Sequence, residues 1–279
     1  MVVIFPGQGS QFVGMGLELF ARFPRETVQA SSILGYDVAA LCIEDRERKL
    51  SQTQYTQPAL FVVNALSFLD RGAPPASFFA GHSLGEFNAL WAAGAIDFST
   101  GVRLVQQRGL LMSRVSGGGM AAVIGLPPAQ VRACISGSPL DIANYNSYDQ
   151  TVISGPQSEL ANANARLERA GARRVIALNV SAPFHSRYMK DVEDEFSRFM
   201  DTMPYTPPHT PVIANATALP YAPEELRTTL LRQVSGCVRW IESVEYLIRR
   251  DEREFIEVGP GNVLTRLVKD IREHTAFAN

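Results

Sequence analysis

The sequence predicts an α/β protein: a mostly parallel sheet covered by helices on both faces, with a small second domain inserted into it. Three observations predict this. Short apolar runs alternate with helical patterns along the 279 residues, as in a parallel sheet whose crossovers are helices. A glycine-flanked turn, Gly81-His82-Ser83-Leu84-Gly85-Glu86, stands between an apolar stretch and a helical one. Between the glycine triplet Gly117-Gly118-Gly119 and Ser181-Ala182-Pro183, the order changes to β-α-β-β-α-β, the ferredoxin-like arrangement.

The elements follow in order. Residues 2–5 read as a first strand, closed by the loop Pro6-Gly7-Gln8-Gly9-Ser10-Gln11. Helical patterns come at 13–22, 60–71, 86–93 and 98–114, with a short buried strand at 76–80 between the second and third. The small domain reads as a strand at 120–126, a helix at 128–135, strands at 140–143 and 151–154 around an Asn-rich turn, a helix near 159–170 and a strand at 174–180. The large domain resumes with a helix at 187–200, a strand at 211–214, helices at 223–233 and 240–249, a strand at 254–258 and a last helix. The boundaries are therefore 1–117 and 183–279 for the large domain and 118–182 for the insertion. A substrate cleft is expected between the two.

Composition narrows the function classes. Hydrophobic residues make up 46% and charged ones 19%, with a net charge of -2, so nothing electrostatic points to nucleic acid or a membrane surface. No apolar run reaches the roughly 20 residues of a membrane helix, and the amino terminus lacks the charged leader of a signal peptide. Cys42, Cys134 and Cys237 are scattered, without metal-type spacing, as expected of core thiols in a reducing cytoplasm. No metal site is expected.

The chemistry centres on Ser83. Gly-x-Ser-x-Gly after a strand and before a helix is the nucleophile-elbow context. The flanking glycines remove Cβ atoms that would clash in a sharp turn, and the serine hydroxyl sits at a helix N-terminus that favours developing negative charge. A nucleophilic serine needs a base, and there are four histidines. His82 should point away from the elbow tip, His209 lies in a proline-rich connection, and His274 falls in a frayed tail. Elimination leaves His185, in Phe184-His185-Ser186, where the chain returns to the large domain. Arg108, in Gln107-Arg108-Gly109, is either a solvated helical arginine or a buried guanidinium that grips a carboxylate; composition does not choose.

Five motifs, taken together and in order, carry a resemblance. They are Phe5-Pro6-Gly7-Gln8-Gly9-Ser10-Gln11, Gly81-His82-Ser83-Leu84-Gly85-Glu86, Gln107-Arg108-Gly109, Phe184-His185-Ser186 and Glu257-Val258-Gly259-Pro260-Gly261. Over almost its whole length the chain resembles malonyl-CoA:acyl-carrier-protein transacylases. The stretches 52–60 and 63–67 look like those of discrete, trans-acting acyltransferases of modular polyketide synthases; the housekeeping fatty-acid enzyme shares most of the motifs. The resemblance implies a hydrolase-like large domain and a ping-pong transfer. In it, Ser83 is malonylated by malonyl-CoA, with His185 as base and then acid. The N–H groups of Gln8 and Leu84 form the oxyanion hole, and Arg108 binds the malonyl carboxylate. The main-chain carbonyl of Gln233 orients the histidine, and Phe184 disfavours an α-methyl branch.

The expected catalytic unit is a Ser–His dyad. A hydrolase of similar architecture would place an acid between serine and histidine, but Asp141 and Asp149 fall inside the insertion. Malonyl-CoA is substrate, and no bound cofactor is expected. The partner implied is a phosphopantetheinylated acyl carrier protein, met transiently with its polyketide synthase modules; a monomer is expected. Arg187, Lys190, Arg249, Arg250 and Arg253 are candidates for a basic docking face. The rival readings are an acyl hydrolase of the same fold, an unrelated serine esterase, and an inactive carrier-docking module. The presence of Ser83, His185 and Arg108 argues against the last.

Overall fold

A computed structural model describes residues 1–180 and 182–277. Its first strand, β1 (Val2–Phe5), is apolar and wholly buried on both faces, as a central parallel strand must be. Val3 and Phe5 pack into the core beneath the helices that follow, while Val2 and Ile4 face the opposite core, the two-residue period of a strand. Beside β1 lie β2 (Phe78–Gly81) and β8 (Phe255–Glu257), with β7 (Val212–Ile213) outside β2. The order is β7-β2-β1-β8, parallel throughout.

Helices α1 (Leu17–Arg22), α2 (Pro24–Leu34), α3 (Val38–Ile43) and α4 (Thr53–Asp70) connect β1 to β2. The sequence reading has no counterpart for α2 and α3. It also begins the next helix at residue 60, whereas α4 starts at Thr53 and keeps Pro58 inside. Proline's missing N–H costs least near a helix start, where those donors lack intrahelical partners or have only just gained them. After β2 come α5 (Gly85–Ala92) and α6 (Phe98–Ser113), the latter capped by the Asp97 carboxylate on Thr100 N–H at 2.6 Å.

The second sheet contains β3 (Gly118–Ile124), β4 (Asp141–Ser147), β5 (Gln150–Pro156) and β6 (Arg174–Ala177), with α7 (Pro128–Ile135) and α8 (Gln157–Arg169) on one face. Its order, β4-β5-β3-β6, is antiparallel throughout, and with β-α-β-β-α-β connectivity this is the ferredoxin-like topology. Ala121 and Val123 pack with α7 and α8, whereas Met120, Ala122 and Val152 face the large unit. Ser181, one of the residues bracketing the insertion in the sequence reading, lies outside the described residues.

Three local expectations change. The Asn-rich turn is not a turn: Asn144 and Asn146 belong to β4, and only Tyr148 and Asp149 link it to β5. Two register shifts in the β4–β5 pairing, at 142–144 and 145–147, irregularities of the β-bulge kind, accompany the burial of both amides. The last strand of the insertion stops at Ala177 rather than 180. His274 is helical, in α12 (Val263–Phe277), stacked on Tyr148 with ring centroids 3.8 Å apart. The chain between is completed by α9 (Lys190–Met200), α10 (Leu226–Arg232) and α11 (Trp240–Arg249). No described helix is long and apolar enough to cross a membrane.

Candidate active site

The site forms where the carboxyl ends of β1 and β2 meet the bulged end of the second sheet, the position α/β sheets favour for ligands. Ser83 is separated from the end of β2 by His82 alone and sits at φ 51°, a strained value for a non-glycine residue. Its neighbours explain how the turn is held. A Cβ on Gly81 would lie 2.0 Å from Gly85 carbonyl carbon, and one on Gly85 would lie 2.0 Å from Phe5 O. Both contacts are with backbone, so neither position tolerates a side chain. Gly85→Ala is therefore expected to destabilise the protein by about 3 kcal/mol, as overpacking against main chain does, read as a lower denaturant midpoint with an unchanged slope.

The four histidines separate clearly. His185, 4% exposed, places Nε2 2.7 Å from Ser83 Oγ. Its Nδ1 lies 2.8 Å from Gln233 O and 3.1 Å from Gly236 O. Carbonyl oxygens only accept, so Nδ1 carries the proton and Nε2 presents its lone pair to the serine. Burial, and after it the Arg108 guanidinium, push the His185 pKa down to about 3. His82 is buried beside the elbow, 2.8 Å from Asn146 Oδ1 and edge-on to Trp240; it lines the site cavity but does not contact Ser83 Oγ. His209 is exposed. Asp141 pairs with Arg187 and Asp149 with Arg173, both at the surface, so neither acid of the insertion reaches the imidazole.

Arg108 is a buried arginine, 1% exposed. Nη1 donates to Gln57 Oε1 at 2.6 Å, and Nη2 donates to Gln233 Oε1 at 2.7 Å and to Ser83 Oγ at 3.1 Å. These use three of a guanidinium's five donors, and the buried Nε has no partner among the described residues. The Phe87 ring lies 5.6 Å from Cζ. Burial lowers the Arg108 pKa to about 10 against the pull of Glu86, which leaves it a cation at neutral pH.

Gln8 and Leu84 flank the serine. Asn64, on the buried side of α4, donates to Pro6 O and to Asn88 Oδ1, each at 3.0 Å, and so fixes the loop carrying Gln8. A Cβ on Gly7 would lie 2.4 Å from His82 O, so glycine is required for this close approach of loop and elbow. Neither Gln8 N–H nor Leu84 N–H has an acceptor among the described residues. A cavity of about 130 Å³ lies over these groups, lined by Ser83, His185, Arg108, Met120 and Phe184 among others. It shares Gln8, His82, Asn146, Val152, Leu178 and Val180 with a groove of about 340 Å³ between the loop after β1 and the second sheet.

The acyl transferase domain family matches residues 2–276. The chain belongs to this family. Within it, the chain is 49% identical over 278 residues to the polyketide biosynthesis malonyl CoA-acyl carrier protein transacylase PksC of Bacillus subtilis, covering 97% of this chain and 96% of PksC. It is also 49% identical to the polyketide biosynthesis protein ThaF of Burkholderia thailandensis over 99% of its own length, but spans only 24% of ThaF. A solved complex of a type II polyketide synthase acyl-carrier protein with its malonyl-transacylase superposes with a TM-score of 0.91 at 37% identity, covering 98% of this acyl transferase domain and 93% of that chain.

Several groups around the serine have no counterpart in the sequence reading. Gln57 and the Gln233 side chain hold the guanidinium, Gly236 supplies a second carbonyl to His185, and Asn215 Oδ1 accepts from Ser83 N–H at 2.7 Å. For Asn215 the available signal is its position just past a parallel strand; Gln57 precedes residue 60, where the helical pattern of the sequence begins, and carries no such signal. Among the candidate docking cations, Arg187, Lys190, Arg249 and Arg253 are each paired with a carboxylate, and Arg250 lies over the Tyr246 ring.

Proposed function

We propose that this chain transfers a malonyl group from malonyl-CoA to the phosphopantetheine thiol of an acyl carrier protein, through a malonyl-Ser83 intermediate. The observation that carries the reading is the buried guanidinium of Arg108, with donors to spare, 3.1 Å from the Ser83 hydroxyl. A site that places an unsaturated cation beside a nucleophile is built for an acyl group with its own carboxylate. Half of the residues are shared with polyketide biosynthesis proteins, which supports a trans-acting role in polyketide synthesis. Carrier and CoA thiols both require a reducing compartment, which favours the cytoplasm. Residues 118–182 act as the subdomain that closes one side of the cleft over the large domain, 1–117 and 183–279.

The chemistry follows from the donors and acceptors. His185 Nε2 takes the Ser83 proton as Oγ attacks the thioester carbonyl. The resulting oxyanion lies at the free N–H groups of Gln8 and Leu84. As the C–S bond breaks, His185 returns the proton to the departing CoA thiolate, leaving malonyl-Ser83. The carrier thiol then loses its proton to His185, attacks the ester carbonyl, and the proton passes to Ser83 Oγ as it leaves. Two carbonyls replace the usual carboxylate behind the histidine, fixing its tautomer without adding charge. Phe184 narrows the cavity where an α-methyl branch would lie.

The deciding experiment is intact-protein mass after mixing with malonyl-, methylmalonyl- or acetyl-CoA, repeated after adding phosphopantetheinylated carrier protein. A malonyl adduct that moves to the carrier thiol supports transfer. Acyl groups stripped from the carrier into water, with no persistent adduct, support the hydrolase instead.

The pH dependence has a definite sign. A base whose pKa is depressed keeps its neutral, proton-accepting form to lower pH, and Arg108 contributes to that depression. Removing this cation in Arg108→Ala raises the His185 pKa. Glu86, which Arg108 pulls down, moves the same way. The acid limb of Ser83 labelling by a neutral serine reagent should therefore shift to higher pH in Arg108→Ala.

A further inference from the structure

We propose that Glu86 is a positioning residue whose carboxylate, through Asn215 and Gln233, holds the backbone of Ser83, the His185 ring and the Arg108 guanidinium in register. The inference rests on the Ser83–His185 nucleophile proposed above. Glu86 lies in the first turn of α5 and is fully buried, where a carboxylate persists only if donors reach its lone pairs. Oε1 accepts from Asn215 N–H at 2.9 Å and from the Tyr221 hydroxyl, and Oε2 accepts from Gln233 Nε2 at 2.7 Å. Neither nitrogen donor can reverse its role. Asn215 uses its main chain, and the Gln233 amide is oriented by accepting from Arg108 through Oε1 and donating to Ser83 O through Nε2, at 2.7 Å each. The ionised form of Glu86 fits this donor set.

Two arms leave the carboxylate. In the first, Asn215 Oδ1 accepts from Ser83 N–H at 2.7 Å and Nδ2 donates to Gly81 O at 2.6 Å, stapling the end of β2 to the strained serine. In the second, Gln233 holds Arg108 by its side chain and His185 Nδ1 by its carbonyl, at 2.7 and 2.8 Å. Nucleophile, base and guanidinium thus converge on one carboxylate that bonds to none of the three directly, while the Glu86 main-chain N–H donates to Ser83 O at 3.2 Å. Burial outweighs the pull of these donors and of Arg108, so the Glu86 pKa is raised, to about 7, and Arg108 is the cation that draws it back toward the ionised form. The acid that a hydrolase of similar architecture places between serine and histidine in chain order has a counterpart in Glu86, three residues after the serine, which works through a glutamine.

Tyr221 separates positioning from plain core polarity, because its hydroxyl meets Glu86 but neither arm. The test uses phenylmethylsulfonyl fluoride on the full chain. This neutral reagent sulfonylates Ser83 Oγ with loss of fluoride, His185 taking the hydroxyl proton, and needs no carboxylate contact. Labelling is followed by intact mass, beside a thermal melt of each variant. Glu86→Gln, which keeps the shape and removes the charge, should slow labelling at least about 30-fold, the scale of small misplacements in a reacting pair, while Tyr221→Phe stays within about threefold. Equal losses in the two variants, or a folded Glu86→Gln that labels within about threefold of the parent, overturn the proposal. If Glu86→Gln does not fold, Glu86→Asp serves, since it withdraws the charge from its donors by one carbon: slowing of about fivefold or more supports the inference, and less overturns it. A parent protein that takes the sulfonyl group but no malonyl group would sink the transferase reading and leave this one intact.

Discussion

Ser83→Ala should abolish the malonyl adduct altogether, and His185→Ala should slow its formation by about 10⁴-fold or more, the scale seen when a member of a nucleophile–base pair is removed. The geometry accounts for the size of both effects. Among the described residues Ser83 Oγ has one base within reach, His185 Nε2 at 2.7 Å, and no carboxylate contacts either side chain. Arg108 Nη2 also donates to Oγ, which favours the deprotonated serine but accepts no proton itself. In His185→Ala the hydroxyl would therefore have to lose its proton to water. Quenched-flow mass measurement of malonylation reads the rate directly. A His185→Ala protein that acylates within about tenfold of the parent would remove the dyad from the mechanism.

Arg108→Ala should lower malonyl loading by about 10²- to 10³-fold while acetyl loading changes far less, because a substrate carboxylate buried without its partner costs about 3–5 kcal/mol. The measurement is the ratio of malonyl to acetyl adduct formed at equal acyl-CoA concentration. Selectivity retained in Arg108→Ala would discard the carboxylate clamp. Lysine is no substitute, since it cannot reproduce the planar fork held by Gln57 on one nitrogen and Gln233 on another. Burial of the guanidinium is what gives the pair its weight. At a solvated surface the same ion pair would contribute about 0–1 kcal/mol, and the cavity would admit malonyl and acetyl groups with little distinction.

The two predictions differ in how far the sequence could support them. The elbow is a local event: a strand, a glycine-flanked serine and a helix are contiguous, so their order specifies Ser83 before any tertiary contact is known. The same holds for the α/β class, where apolar runs and helical periods alternate, and for the ferredoxin-like unit, whose strand order β4-β5-β3-β6 follows from β-α-β-β-α-β connectivity. Reading failed where local pattern competed with packing. Asn144 and Asn146 look like turn residues because asparagine usually serves turns, yet both lie in β4 beside bulges that adapt the strand to the cavity. A helix begun at residue 60 leaves Pro58 outside, yet Pro58 lies close enough to the start of α4 to be carried inside it.

The sequence by itself determined the class of fold and singled out Ser83 as the proposed nucleophile and, by elimination, His185 as its proposed base, because each rests on neighbouring residues or on a short supply of alternatives. Tertiary structure alone decided that Arg108 is buried rather than solvated, that Gln57, Asn215 and the Gln233 side chain gather around Arg108 and Ser83, and that the Glu86 carboxylate stands at the centre of their network. Hydrogen bonds such as Gln233 to Ser83 O span 150 residues, and no periodicity records them. They exist because a buried polar group must find a partner wherever the packed chain brings one, and only the folded chain brings these together.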